Sequence, residues 1–218
     1  MPFTRCVVLG IVAAGCASTT RVPIPDVEVA HSPTGQVAFV RRTPDRLVPT
    51  ALGDEQATEL WIADADGAHA RRLLTGVAAD SAQHALASFS SPRFSPDGEH
   101  IYFLSRAWVT SDAVHVVDVR TGRERFVAPG NSLEVIPQGP LAGCLLVTQH
   151  RHRADGDGSS DWTWLFDPAG RELGLAATDS DADGRVAEFL SGRVPGPGDG
   201  SLTVIPSDVH CQADRLAK

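Results

Sequence analysis

Asp179, Asp181 and Asp183 alternate in DSDADG, residues 179–184, with Val186 close behind. A calcium loop of the EF-hand kind uses this pattern, because a hard cation takes oxygen ligands from alternate residues ahead of a glycine. Such a loop also needs a bidentate glutamate at its last ligand position. Leu190 stands there, and Glu188 comes too early. The plainer reading is a polar turn between strands, with Asp179, Asp181 and Asp183 as the weaker metal alternative. A second acidic stretch, DGDGSSD at 155–161, reads as a hairpin loop that could also hold a cation.

His150 and His152 lie at i and i+2, which puts them on one face of a strand. Two imidazoles so placed could bind a metal if a third ligand came from elsewhere in the fold. The plain alternative is a solvated strand end among arginines. Trp162 and Trp164 also share a face, either as packing aromatics or as a platform that stacks a sugar or a peptide. The chain has no G-x-S-x-G, no H-E-x-x-H and no C-x-x-C, so no nucleophile elbow, zincin helix or redox pair is written in it. No catalytic residue and no cofactor are implied. The formal charge is −8 and there is no long basic run, the opposite of what a nucleic-acid groove requires.

The N-terminus bears on where the chain works. Residues 6–15, CVVLGIVAAG, are apolar and follow a short segment ending in Arg5. As a helix this run spans about 15 Å, half a bilayer core, so it suits the h-region of a secretory signal rather than a membrane span. Ala13-Ala14-Gly15-Cys16 resembles the lipobox of bacterial lipoproteins, although Ala13 stands where that pattern usually has leucine. The resemblance implies cleavage before Cys16 and lipid attachment on it. Ala17, which is not aspartate, implies the outer membrane with the domain facing the periplasm. Ordinary cleavage after a small residue is the alternative. The segment that follows, ASTTRVPIPD, reads as a tether. Cys6 leaves with the signal and Cys16 takes the lipid. Cys144 and Cys211 are then one pair available for a disulfide in an oxidising compartment, or two free buried thiols.

The elements that must position all of these repeat along the chain. SPTGQVAFV at 32–40 and SPDGEHIYFLS at 95–105 both place a Ser-Pro-x-Gly turn before an apolar run. ELWIADADGAHARRLLTG at 59–76, AVHVVDVRTGRERFVAPG at 113–130 and WTWLFDPAGREL at 162–173 each set a strand ending in Asp, a turn with Gly, and another strand. Asp caps the turn backbone and Gly accepts positive φ. DGRVAEFLS at 183–191 aligns with DGEHIYFLS, which predicts a fourth repeat with DSDADG as its turn. A period of about 45–55 residues with this content indicates propeller blades.

The strings SPDG and LWIADADG, the latter followed by Arg71-Arg72-Leu73, resemble the blade repeat of TolB-type, WD-like propellers. That resemblance implies an all-β fold: a small or partial β-propeller of about four blades (27–76, 86–130, 131–178 and a short 179–207). The expected organisation is a signal peptide at 1–15, a lipid-anchored tether at 16–26, a β-propeller-like domain at 27–207 and a C-terminal tail at 208–218. An open arc would expose a blade face and an edge strand, inviting a partner or self-association. The expected function is non-enzymatic: an envelope lipoprotein, attached to the membrane by its lipid, that binds a protein or cell-envelope polymer and no nucleic acid. The alternative is a small propeller enzyme of the metal-assisted lactonase or cyclase kind.

Overall fold

Strands that are buried on both faces need apolar residues at every position rather than at every second one. The run Ile101-Tyr102-Phe103-Leu104 is such a strand: all four side chains are essentially inaccessible. Ile101 and Phe103 face one neighbouring sheet, and Tyr102 and Leu104 face the other. The segment therefore lies in the middle of a stack.

The computed structural model describes residues 21–24, 28–152, 158–178, 182–195 and 211. The expected signal peptide and Cys16 lie outside these residues. Within them are twelve strands. The first sheet is β1 (Val29–His31), β2 (Gln36–Thr50), β3 (Gly53–Asp64) and β4 (Arg71–Thr75). The second is β5 (Ser90–Phe94), β6 (His100–Ser105), β7 (Ala113–Asp118) and β8 (Glu124–Pro129). The third is β9 (Ser132–Val135), β10 (Leu145–His152), β11 (Ser159–Phe166) and β12 (Glu172–Ala177). Each sheet is an antiparallel meander in chain order, and consecutive sheets pack face to face through shared apolar layers. This is the architecture of propeller blades, so the fold is an all-β partial propeller.

The turns work as the repeat requires. Gly67, Gly122 and Gly170 all have positive φ, and their N–H groups donate back to the carbonyls of Asp64, Asp118 and Asp167. Asp118 Oδ1 accepts from Thr121 N at 2.6 Å, and Asp167 Oδ1 from Ala169 N at 3.0 Å. In the Ser-Pro-x-Gly turns, Ser32 Oγ accepts from Gln36 N and Ser95 Oγ from His100 N, both at 2.9 Å.

The fourth unit differs from expectation. Ala182–Leu190 form an α-helix, α1, not a turn and strand. Val186, Phe189 and Leu190 recur at helical spacing and pack on Ile136, Leu146, Leu165 and Ala176 of the third blade. Asp183 sits in the first helical turn, where the helix dipole favours a carboxylate. It therefore caps no hairpin. Asp179 and Asp181 lie outside the described residues, as does the expected strand at 201–207. The helix covers the apolar face that a further blade would otherwise bury. Cys211 joins it there in a disulfide with Cys144, Cα–Cα 5.0 Å. At the other end of the stack, Val22 and Ile24 cover Val37, Phe39 and Ala63 of the first blade. Both outer blade faces are thus closed from within the chain, so the bare blade face that an open arc would leave is absent among the described residues.

Candidate functional site

Cross-strand register divides the residues singled out in the sequence. Gln149 pairs with Trp162 and Val147 with Trp164, while His150 pairs with Asp161 and His152 with Ser159. Val147 belongs to the layer shared with the second blade, and Trp164 packs against that layer. The two tryptophans therefore face the second blade and the two histidines face away from it. The four do not form one site. His150 Nδ1 lies 2.9 Å from Asp161 Oδ1, a cross-strand pair that engages one imidazole nitrogen. Among the described residues no three His, Cys, Asp or Glu side chains come together as a metal group.

The Trp-bearing face opens into a cleft of about 500 Å³ between the second and third blades. It runs along β8. Its walls include Trp108, Phe126, Pro129, Gln149, Arg151 and Phe166, and His150 borders its rim. Trp108 belongs to the β6–β7 loop and meets Phe126 edge-on at 6.4 Å between ring centres. Phe126 in turn stands edge-on to His115, which stacks on Phe103 in the core. His115 is fully buried, and its Nδ1 lies 2.5 Å from Glu124 Oε1. An aromatic series thus ties the outer wall of the cleft to the interior of the blade. Val109, beside Trp108, is 80% exposed at the rim.

Arg151 supplies the charge on the opposite wall. Its guanidinium lies over Trp164, 3.9 Å from the ring centre. It donates to Gln149 Oε1 through Nε and Nη2, and through Nη2 to Glu172 Oε2 at 2.6 Å. Gln149, itself buried, donates to the carbonyl of Pro129 at 2.5 Å. Stacking plus three hydrogen bonds pre-organise the guanidinium, and no partner for its Nη1 occurs among the described residues. The Nε1 of Trp164 beneath it is also buried without an acceptor there.

Trp108, Phe126 and Arg151 did not stand out in the sequence. The one available signal was the Trp108-Val109 pair inside the short polar segment RAWVTSD, because an exposed aromatic–aliphatic pair in a loop is costly unless it meets something. Arg151 could not be separated from its basic neighbours without knowing which alternate residues face the second blade.

A second acidic–basic cluster lies at the same end of the blades. Arg106 stands 3.8 Å from both Glu55 and Asp112. Burial raises the Asp112 carboxyl above its usual range, Arg106 opposing the shift, and its Oδ1 has no hydrogen-bond donor among the described residues.

The geometry defines the class: a β-propeller arc of three described blades with an inter-blade cleft. No family model matches the chain, and no curated protein matches it. Solved structures do. The β-propeller domain of the Trilobed protease from Pyrococcus furiosus aligns with 68% of this chain and 40% of its own, at 17% identity and TM-score 0.44. The tricorn protease aligns with 69% of this chain and 13% of its own, at 13% identity and TM-score 0.45. TolB from Acinetobacter baumannii aligns with 67% and 42%, at 14% identity and TM-score 0.37. The chain spans less than half the length of each. These likenesses concern blades alone, and the assignment of a partial propeller rests on the sheets described above.

Proposed function

We propose that this chain is a non-enzymatic binding module of the bacterial envelope, lipid-anchored at Cys16, that holds a protein or envelope ligand in the cleft between its second and third blades. The carrying observation is the cleft itself. Its volume and mostly apolar, aromatic lining with a few placed polar groups suit ligand binding.

Chain direction supports the reading. Val22 N donates to Gly67 O at 3.0 Å and Arg21 pairs with Asp66 at 2.6 Å, so the chain enters at the end of the stack carrying the β3–β4 turn. The loop holding Trp108 and Val109 lies at the opposite end, as do the exposed Leu47 and Val77. An anchor at Cys16 would then turn the rim of the cleft away from the membrane.

The test is site-specific photo-crosslinking in intact cells, from a benzoylphenylalanine at Val109 and from a control at Gly35 on the far end. Capture of a defined envelope component from position 109 and not from 35 is expected. Equal capture from both ends, or none, would sink the reading. For the anchor, Cys16→Ser is expected to move the protein from the membrane fraction to the soluble periplasm or to block processing. Unchanged membrane partition with normal cleavage would reject it.

A further inference from the structure

Resting on the binding reading above, we infer that the cleft captures the C-terminal residue of a polypeptide, seating an apolar side chain between Trp108 and Phe166 and the terminal carboxylate on Arg151. Two observations lead there.

The first is charge. Apart from His150 at the rim, the only ionisable side chain lining the cleft among the described residues is Arg151, in a chain whose formal charge is −8. Its Nη2 already pairs with Glu172 at 2.6 Å, and Nη1 is the nitrogen left without a partner among the described residues. A guanidinium whose Nε and Nη2 are held presents Nη1 in a fixed direction, which suits a carboxylate oxygen rather than a diffuse cloud of anions.

The second is the backbone. An internal peptide segment usually docks on a blade edge by strand addition, which needs free edge carbonyls and amides. On β8 two of the carbonyls are already engaged and a neighbouring turn overlies the strand. Pro129 O accepts from Gln149, Phe126 O accepts from Arg125 at 3.3 Å, and the 168–170 turn lies against the strand, receiving Arg125 at Pro168 O and Ala169 O. Recognition must come from a side chain and one strong polar group, and a chain end offers both together.

The experiment uses the mature chain and two probes, N-acetyl-Ala-Ala-Phe with a free carboxylate and the same peptide as its C-terminal amide. Binding is followed by NMR on the tryptophan indole and arginine Nε signals. The free acid is expected to shift the Trp108 and Trp164 indoles and to bind about tenfold tighter than the amide, the difference made by one charge-assisted pair. Arg151→Gln should erase that preference, Arg151→Lys should retain part of it, and Trp108→Ala should weaken both probes alike. Circular dichroism of each variant shows whether the fold survives. Should Arg151→Gln unfold, the acid–amide comparison on the natural chain still decides. Equal affinity for acid and amide would overturn the carboxylate anchor and leave the cleft as the binding site. Binding of 3-phenylpropionate as tightly as the peptide acid would overturn the polypeptide source. No shift from either peptide, with crosslinking from position 109 still succeeding, would overturn the inference alone. Failure of both would remove the binding reading as well.

Discussion

Arg93 on β5 donates through Nε and Nη2 to both oxygens of Glu134 on β9, at 2.9 and 2.8 Å, joining the innermost strands of the second and third blades. The bonds to Glu134 are the main reason the guanidinium holds its proton more tightly than usual, with Glu28 adding to the effect. Glu28 in turn accepts from Ser91 N, so the inner edge of the first blade is tied to the same strand. Both partners of the Arg93–Glu134 pair are about a third exposed, which limits its worth. A double-mutant cycle with Arg93→Gln and Glu134→Gln should give a coupling of about 1 kcal/mol that shrinks in concentrated salt. A coupling indistinguishable from zero would mean that apolar layers alone hold the blades together.

Two glycines with similar φ should respond differently to alanine. Gly35 and Gly170 both have positive φ, so each substitution carries backbone strain of about 1 kcal/mol. Around Gly35 the added methyl meets open space, whereas at Gly170 it collides with Val127 O of the neighbouring blade. Gly170→Ala should therefore cost clearly more than Gly35→Ala in urea unfolding. Equal costs would show that the inter-blade contact at this turn yields freely.

The C-terminal cap is expected to stabilise the arc strongly. Cys144 and Cys211 close a loop of 67 residues, for which the chain-entropy model gives about 4 kcal/mol. Replacing both with serine should lower the melting temperature by several degrees and increase binding of a hydrophobic dye, because Ile136, Leu146 and Leu165 lie beneath the cap. Phe189→Ala, at the helix contact, should act in the same direction. If neither change increases dye binding, the helix is not what covers that face.

Asp112 gives a pH prediction. Its carboxyl is raised in the folded state, so the folded chain binds the proton more tightly than the unfolded chain does. The sign follows from linkage. Its protonated form favours the fold at low pH, and this contribution is lost as pH rises from the unfolded carboxylate range through the raised folded value. Asp112→Asn, which stays neutral, should raise the melting temperature at pH 7 relative to the natural chain and lose that advantage near pH 3. Destabilisation at pH 7 would show that the 3.8 Å contact with Arg106 outweighs burial.

The local chemistry of the blades was legible in the amino-acid sequence. Ser95, Asp118, Gly67 and Gly170 act through bonds to residues a few positions away, and the doubly apolar run at 101–104 announces a strand buried on both sides whatever its neighbours are. Residues 183–191 misled because aspartate and glycine followed by aliphatics suit a hairpin turn as well as a helix start. Only the exposed face of the third blade, waiting for Val186 and Phe189 at helical spacing, settles the choice. The cleft was equally out of reach. Trp108 and Arg151 are far apart in the chain, and which side of β10 Arg151 occupies depends on a register in which one residue's slip would exchange its place with that of His150. Short-range hydrogen bonds are dictated by neighbours along the chain. The meeting of two blades is dictated by which faces lose water together, and only the tertiary structure decides that.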